Sequence, residues 1–258
     1  MTNSGVAHAL DHVGVVVHDI AAARAAWTRA GFAPTPGGRV MLGQGCLAPG
    51  GLGPGYVELL APDAARPSAT LTAMLAQGEG AHVLSLRVTQ ADAAAARLRR
   101  AGFAAEVVEN ARPGDAPGSG TARFRRVPLT DALPRLQLIE HPTPEVVWHR
   151  DLLDQPNGAL ALAEVVVVAD PQAGFAARLS LVAGRALTPA DGGFLLPLGD
   201  SAVRVLHPEA FCLQWRPALA PDAMPRIAAL VLRGAASANI NFPGLSLRIL
   251  PPQATSPG

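Results

Sequence analysis

The densest cluster of basic side chains is the segment Arg123-Phe124-Arg125-Arg126. Guanidinium groups bind carboxylate or phosphate through two parallel hydrogen bonds, so this cluster could hold an anionic ligand. The segment is predicted to be a strand, in which alternate residues share a face. A solvated outer face is the other interpretation, and it is favoured because no second basic cluster supports an anion site.

A glycine-rich segment, Gly43-Gln44-Gly45-Cys46-Leu47-Ala48, formally matches a dinucleotide-binding fingerprint. That motif works only when a helix follows, because the helix N-terminus meets the phosphate. Here a Pro- and Gly-rich stretch and then a strand follow, so we reject the motif and predict a loop. The two cysteines, Cys46 and Cys212, fit neither a disulfide framework nor a zinc motif.

Composition restricts the class of protein. Of the 258 residues, 49% are hydrophobic and 16% are charged, so the chain can bury a core and is not disordered. The net charge of +1 gives no overall field that would attract nucleic acid or an anionic membrane. No apolar run is long enough to span a bilayer, and no signal peptide is evident. All 21 basic residues are arginine, which indicates the codon bias of a GC-rich bacterial genome. We therefore expect a bacterial, cytoplasmic protein that binds neither nucleic acid nor membranes.

The chain repeats one unit of a strand followed by a helix. In the first unit a β-branched strand at residues 10–17 precedes a helix that begins after Asp19 and ends at Gly31. The second unit lies 71 residues further along, so the Ala-Gly-Phe triplets at residues 30–32 and 101–103 superpose without a gap. Such a period predicts supersecondary units that pack against one another.

Two further units follow a polar, proline-containing segment. The third has a strand at residues 163–168 and a helix that ends near Gly184, and the fourth has strands at residues 227–233 and 245–250 without a helix pattern between them. Each unit ends in a strand followed by proline. Proline has no backbone N–H to donate to the hydrogen bonds of a sheet, so we expect it to end each strand. We predict an α+β fold of tandem βαβββ modules that form two cupped mixed sheets, the second one eroded.

The predicted organisation has three parts. Paired βαβββ modules occupy residues 1–142, a linker occupies residues 143–158, and a smaller half with one full and one truncated module occupies residues 159–252. The truncated module leaves one sheet incomplete, and its exposed edge could pair with a second copy. The sequence therefore allows a homodimer.

The segments Asp11-His12-Val13-Gly14 and Tyr56-Val57-Glu58-Leu59-Leu60, together with the βαβββ repeat, resemble the vicinal-oxygen-chelate superfamily. The segments His141-Pro142-Thr143-Pro144-Glu145 and Pro156-Asn157-Gly158-Ala159 resemble its glyoxalase-like branch. The resemblance covers nearly the whole chain and is specific for the fold, not for a substrate. It implies a small-molecule ligand and, in metal-dependent members, a site built by the first and last strands of two paired modules.

By this resemblance His12 and Glu58 take the metal-ligand positions of the first module. The corresponding positions of the second module hold a valine and Leu138, which cannot bind a metal. Glu140 lies two residues further on, on the face of Leu138, whereas His82 lies one residue early and on the other face unless the strand bulges. We therefore expect Glu140, ahead of His82, to complete a site for a divalent ion such as Zn, Ni, Mn or Fe.

Two functions follow from the resemblance. A metal-dependent lyase or isomerase would act on a small oxygenated metabolite, with Glu58 or Glu140 moving a proton beside a bound carbonyl. The alternative is a metal-free small-molecule binding protein of the drug-sequestering, bleomycin-resistance kind. The degraded second ligand pair favours the binding protein, and the intact first pair favours the enzyme. The third unit has Ala163 and Arg204 at the matching places and is expected to bind no metal.

Overall fold

A computed structural model describes residues 5–42, 55–63, 65, 67–216 and 224–251. The predicted loop at residues 43–48, including Cys46, lies outside these ranges. Within them, no helix is long and apolar enough to cross a membrane.

The first half repeats a strand–helix opening, as predicted. Gly31 and Gly102 end the first and third helices with φ angles of 81° and 89°, which suit glycine. A short second helix, which connects the two modules, was not predicted from the sequence. The strands are β1 (Ala9–Val16), β2 (Arg39–Leu42), β3 (Gly55–Leu60), β4 (Gly80–Arg87), β5 (Val108–Pro113), β6 (Thr121–Leu129) and β7 (Arg135–Glu140). The helices are α1 (Ile20–Arg29), α2 (Ala69–Leu75) and α3 (Ala91–Arg100).

The linker contains a helical turn, α4 (Pro144–Val147), and the second half follows it. Its strands are β8 (Ala159–Val168), β9 (Thr188–Ala190), β10 (Gly193–Leu198), β11 (Ser201–Leu206), β12 (Arg226–Gly234), β13 (Ala238–Phe242) and β14 (Leu245–Leu250). Its helices are α5 (Phe175–Ala183) and α6 (Pro208–Trp215). All residues between β12 and β13 are described and none is helical, so the fourth module lacks its helix.

The two halves have related strand orders, in which successive modules contribute three and then four strands to the first half, but four and then three strands to the second. The first runs β2-β3-β1-β4-β7-β6-β5 and the second runs β9-β10-β11-β8-β12-β14-β13, with one antiparallel pair of long strands at each centre. One residue pair, Ala81 with Ile227, joins β4 to β12. Hydrogen bonding therefore gives one curved sheet of 14 strands among the described residues, where two sheets were expected. Within that part β13 is an edge strand, and dimerisation through it stays a prediction.

Helices α1, α3 and α5 share one core on the same side of the sheet. In β1, Val13 and Val15 belong to this core, whereas His12 faces the opposite, concave side. Trp27 of α1 stacks on Phe242 of β13, with ring centroids 4.3 Å apart. The first helix thus packs against the module that has no helix of its own.

The concave faces of the two halves differ. In the second half α6 lies on this face, where Phe211 packs with Val166 and Val168. The guanidinium of Arg248 lies 3.9 Å above the Trp215 ring at the end of α6. In the first half the corresponding face is open and forms a cavity.

Candidate functional site

The concave face of the first half encloses a cavity of about 460 Å³. This volume is in the range that small-molecule sites occupy. Its walls come from β1 to β7 and α2, so both modules contribute. The charged and amide side chains that line it are His12, Arg39, Glu58, Asn110, Arg112, Arg126, Arg135 and Gln137.

A β-bulge in β1 places a carboxylate next to the cavity. Leu10 pairs with Leu86 and His12 pairs with Ser85, so Asp11 is an extra residue in the ladder. The side chain of Asp11 is fully buried. An acidic residue in a buried strand requires partners, and the bulge directs this one toward them.

Three side chains donate hydrogen bonds to Asp11. Arg87 binds one carboxylate oxygen through Nε at 2.9 Å and Nη2 at 2.8 Å, and His141 Nε2 donates to the same oxygen at 2.7 Å. His12 Nδ1 donates to the other oxygen at 2.7 Å. Burial opposes ionisation, but the charges of His141 and Arg87 and the two histidine hydrogen bonds hold the pKa of Asp11 well below its usual value. Asp11 is therefore an anion that fixes His12.

The other nitrogen of His12 points toward Ser85 and Gln137. Ser85 Oγ lies 2.9 Å from His12 Nε2, and the Gln137 amide donates to Ser85 Oγ at 2.6 Å. The His12 ring stacks on Tyr56 with centroids 4.5 Å apart. Asp11, His12 and Ser85 have the connectivity of a nucleophilic triad, but Ser85 is fully buried and does not line the cavity, so it cannot reach a substrate.

The sheet register shows which residue corresponds to Glu58 in the second module. Gly14 and Ser85 are equivalent positions, since they are one 71-residue repeat apart. Gly14 of β1 pairs with Glu58 of β3, and Ser85 of β4 pairs with Gln137 of β7. The counterpart of Glu58 is therefore Gln137, where the sequence alignment placed Leu138. Leu138 lies on the other face, in the helix-side core.

Glu140 also lies on the helix side of β7. Its carboxylate accepts a hydrogen bond from the backbone N–H of Ala91 at 2.7 Å and pairs with Arg125 at 3.2 Å. It thus caps α3, where the Gln90 side chain makes no cap hydrogen bond. The structure does not bring Glu140 to His12.

Replacing Glu140 with glutamine is expected to lower the free energy of unfolding by about 1 kcal/mol, because the cap of α3 loses its charge. Ligand binding in the cavity should not change. Chemical denaturation measures the first effect and isothermal titration of a cavity ligand the second. A large loss of ligand affinity with unchanged stability would place Glu140 in the site after all.

His82 is the extra residue of a second bulge. Gly14 pairs with Val83 and the next residue of β1 pairs with Ala81. The bulge does not turn the imidazole toward the cavity, because His82 Nε2 donates to the carbonyl oxygen of Gly78 at 2.8 Å. Burial lowers the pKa of His82. Neither candidate for a third metal ligand therefore approaches His12.

The remaining donors do not fit a divalent metal. Among the described residues, no group of three His, Cys, Asp or Glu side chains is arranged so that it could hold a metal ion. Glu58 lines the cavity with His12 but pairs with Arg39 at 2.8 Å, and the position equivalent to His12 holds Val83. Four guanidinium groups line the same cavity, and their positive charge opposes the binding of a metal cation there.

Sequence reasoning missed Asp11, Ser85, Gln137 and Arg135. One signal was present for Asp11, Ser85 and Gln137, since each interrupts a run of apolar strand residues, whereas Arg135 is the first residue of its strand. Burial, with the nearby Glu58 and Asp11 carboxylates, raises the pKa of Tyr56 well above its usual value, so its phenol stays protonated at the cavity wall.

Comparisons with known proteins agree with this architecture. The family profile of the glyoxalase-like domain matches residues 10–182. A hypothetical protein from Staphylococcus aureus superposes with a TM-score of 0.63 at 13% identity, over 94% of this chain and 99% of its own. Homoprotocatechuate 2,3-dioxygenase from Arthrobacter globiformis superposes with a TM-score of 0.50 at 14% identity, over 95% of this chain and 80% of its own.

Methylmalonyl-CoA epimerase from Streptomyces coelicolor is 23% identical, with a TM-score of 0.35, over 53% of this chain and 99% of its own. No functionally curated protein matches the sequence. The structural likenesses concern the fold, while the family profile covers well over half of the chain. The chain therefore belongs to the glyoxalase-like domain family of the vicinal-oxygen-chelate superfamily.

Proposed function

We propose that the protein is a metal-independent small-molecule binding member of this family, with its ligand in the cavity of the first half. The observation that supports this most directly is the set of residues at the four paired strand positions, His12, Glu58, Val83 and Gln137. Only two are ordinary metal ligands, and one of those is held by Arg39. Polar groups at the cavity floor would instead orient a compact oxygenated ligand.

A metal-dependent lyase or isomerase is the competing function. Two observations favour it. His12 donates its Nδ1–H to Asp11, as histidines that bind a metal through Nε2 commonly do. The Gln137 amide oxygen is also buried without a hydrogen-bond partner. Binding of a metal there would require Glu58 to leave Arg39.

Protein purified without added metal is expected to contain much less than one equivalent of divalent metal by mass spectrometry. EDTA should leave the melting temperature unchanged. A metal present at 100 times its Kd would stabilise the folded state by about 2.7 kcal/mol, so its removal would be readily detected. Stoichiometric Zn, Ni, Mn or Fe that disappears in His12→Ala would contradict the proposal.

Ligand binding supplies the second part of the test. In a screen of compact oxygenated compounds, both acids and neutral amides, binding should shift the imidazole NMR signals of His12. The signals of His149, a partly exposed linker residue, serve as the control. Compounds that bind only outside the cavity, or none that binds at all, would count against the proposal.

A further inference from the structure

The charges in the cavity are unbalanced. The guanidinium groups of Arg39, Arg112, Arg126 and Arg135 line it, and Glu58 is the carboxylate among its lining residues. Asp115 lies behind two of these arginines, 3.2 Å from Arg39 and 3.1 Å from Arg112. Four positive charges against two negative ones leave an excess of two positive charges.

Several of the donors have no acceptor. Arg39 Nε, Arg112 Nη2 and Arg135 Nε are buried without a hydrogen-bond partner. Arg135 forms no ion pair with any residue in the described part of the chain. A buried guanidinium nitrogen without an acceptor is costly even in a half-buried side chain, so an acceptor is missing at this wall.

Arg126 and Arg135 lie on adjacent strands and repel each other. The Arg126 Nε donates at 2.6 Å to the amide oxygen of Asn110, which carries no charge. Burial and the neighbouring charge of Arg126 lower the pKa of Arg135, although the charge of Glu58 opposes this. Two like charges at one wall are stabilised when an anion lies between them.

The basic cluster found in the sequence divides between the two faces of β6. Arg125 lies on the helix side, where Asp92, Glu109 and Glu140 neutralise it. Arg126 of β6 pairs with Ile139 of the neighbouring strand β7, and both residues line the cavity. The interpretation as a solvated face thus holds for the exposed Arg123 and not for Arg126.

We infer that the cavity binds an oxyanion, a carboxylate or a phosphate group of a small metabolite, between Arg126 and Arg135. The planar guanidinium groups match the two oxygens of such an anion and are always charged near neutral pH. This inference rests on the proposed function, since it assigns the ligand class of the same cavity.

The test uses probes of matched shape. Isothermal titration compares succinate with its neutral diamide, succinamide, and inorganic phosphate forms a separate arm. Succinate or phosphate is expected to bind to the wild type and to weaken about tenfold in Arg126→Gln and in Arg135→Gln, since each removes a charge-assisted hydrogen bond. Arg123→Gln makes the same charge change on the opposite face of the same strand and should leave the affinity unchanged.

Stability gives an independent readout of the same inference. Arg135→Gln should melt at the same or a higher temperature than the wild type without ligand, because it removes a half-buried charge whose Nε has no hydrogen-bond partner. Succinate or phosphate should then raise the melting temperature of the wild type more than that of the variant. The same measurement shows whether each variant is folded.

The outcomes separate the inference from the proposed function. Binding of succinate alone identifies a carboxylate, and binding of phosphate alone identifies a phosphate group. If succinamide binds in the cavity as well as succinate does, or if the two arginine variants bind anions like the wild type, the inference is overturned while the binding function stands. Failure of every probe, acidic or neutral, overturns both.

Discussion

Replacing Asp11 with alanine is expected to lower the free energy of unfolding by about 3–5 kcal/mol. The carboxylate is fully buried and accepts hydrogen bonds from Arg87, His141 and His12. Its removal leaves a guanidinium and two imidazoles without their acceptor, which costs more than the pair itself contributes. Urea denaturation monitored by tryptophan fluorescence measures the change.

Asp131→Ala is the matched control, because it also removes a carboxylate that pairs with an arginine. Asp131 is 62% exposed, and its pair with Arg178 is screened by solvent. Its loss should change the free energy of unfolding by less than about 1 kcal/mol. Equal effects of the two substitutions would show that the Asp11 network is not a structural centre.

The same network predicts how stability depends on pH. Burial lowers the pKa of His141 below its ordinary value of 6.5, although Asp11 opposes this. The unfolded chain then takes up the proton first, so stability falls as the pH drops below about 6.5. The depressed pKa of Asp11 contributes stability above its unfolded value of about 3.9, and this is lost as the pH falls through the lower folded value. The Asp11→Ala variant should therefore lose less unfolding free energy than the wild type as the pH falls below about 3.9.

Replacing Trp148 with alanine is expected to lower the free energy of unfolding by about 3–5 kcal/mol. Trp148 ends α4 and is only 3% exposed. Its ring lies 4.2 Å below the Arg87 guanidinium, 4.7 Å from the His141 ring and 6.0 Å from the Tyr56 ring. The substitution therefore removes the side chain that packs the linker onto the concave face.

Trp148→Phe should recover part of this loss, because a ring remains in the same space. Leu213→Ala serves as the control, since Leu213 is 78% exposed and its truncation should cost less than about 0.5 kcal/mol. Denaturant titrations of the three variants can be compared directly. A Trp148→Ala variant as stable as the Leu213→Ala variant would mean that the linker is not anchored through this residue.

The fold was predictable because local signals repeat. Asp19 caps α1 by accepting from the backbone N–H of Ala21 at 2.8 Å, and the glycines after α1 and α3 have positive φ. The site was less predictable because it depends on strand pairing. In the sequence, matching Pro62 with Pro142 aligns Glu58 with Leu138. In the structure, the hydrogen-bonded register aligns Glu58 with Gln137 instead, one residue earlier. A shift of one residue moves a side chain to the other face of the strand.

The bulges could not be read from the sequence either. Asp11 and His82 occupy the extra position of corresponding bulges, since 82 − 11 equals the 71-residue repeat. A bulge is a property of two paired strands, so neither strand alone specifies it. The cavity arginines come from different strands, and their convergence depends on the order of the sheet. Single residues in apolar strands, such as Gln137, were the available sequence signal.

The position of α6 predicts how many ligands the proposed binding function allows for each chain. Two pseudo-equivalent halves would ordinarily present two ligand sites per chain, one on each concave face. Phe211 and Trp215 occupy the second face, and the Glu164–Arg204 ion pair at 2.8 Å satisfies its charges internally. The first half is left with unneutralised charge and open volume. If the proposed binding function is correct, a calorimetric titration should therefore reach saturation at one ligand per chain.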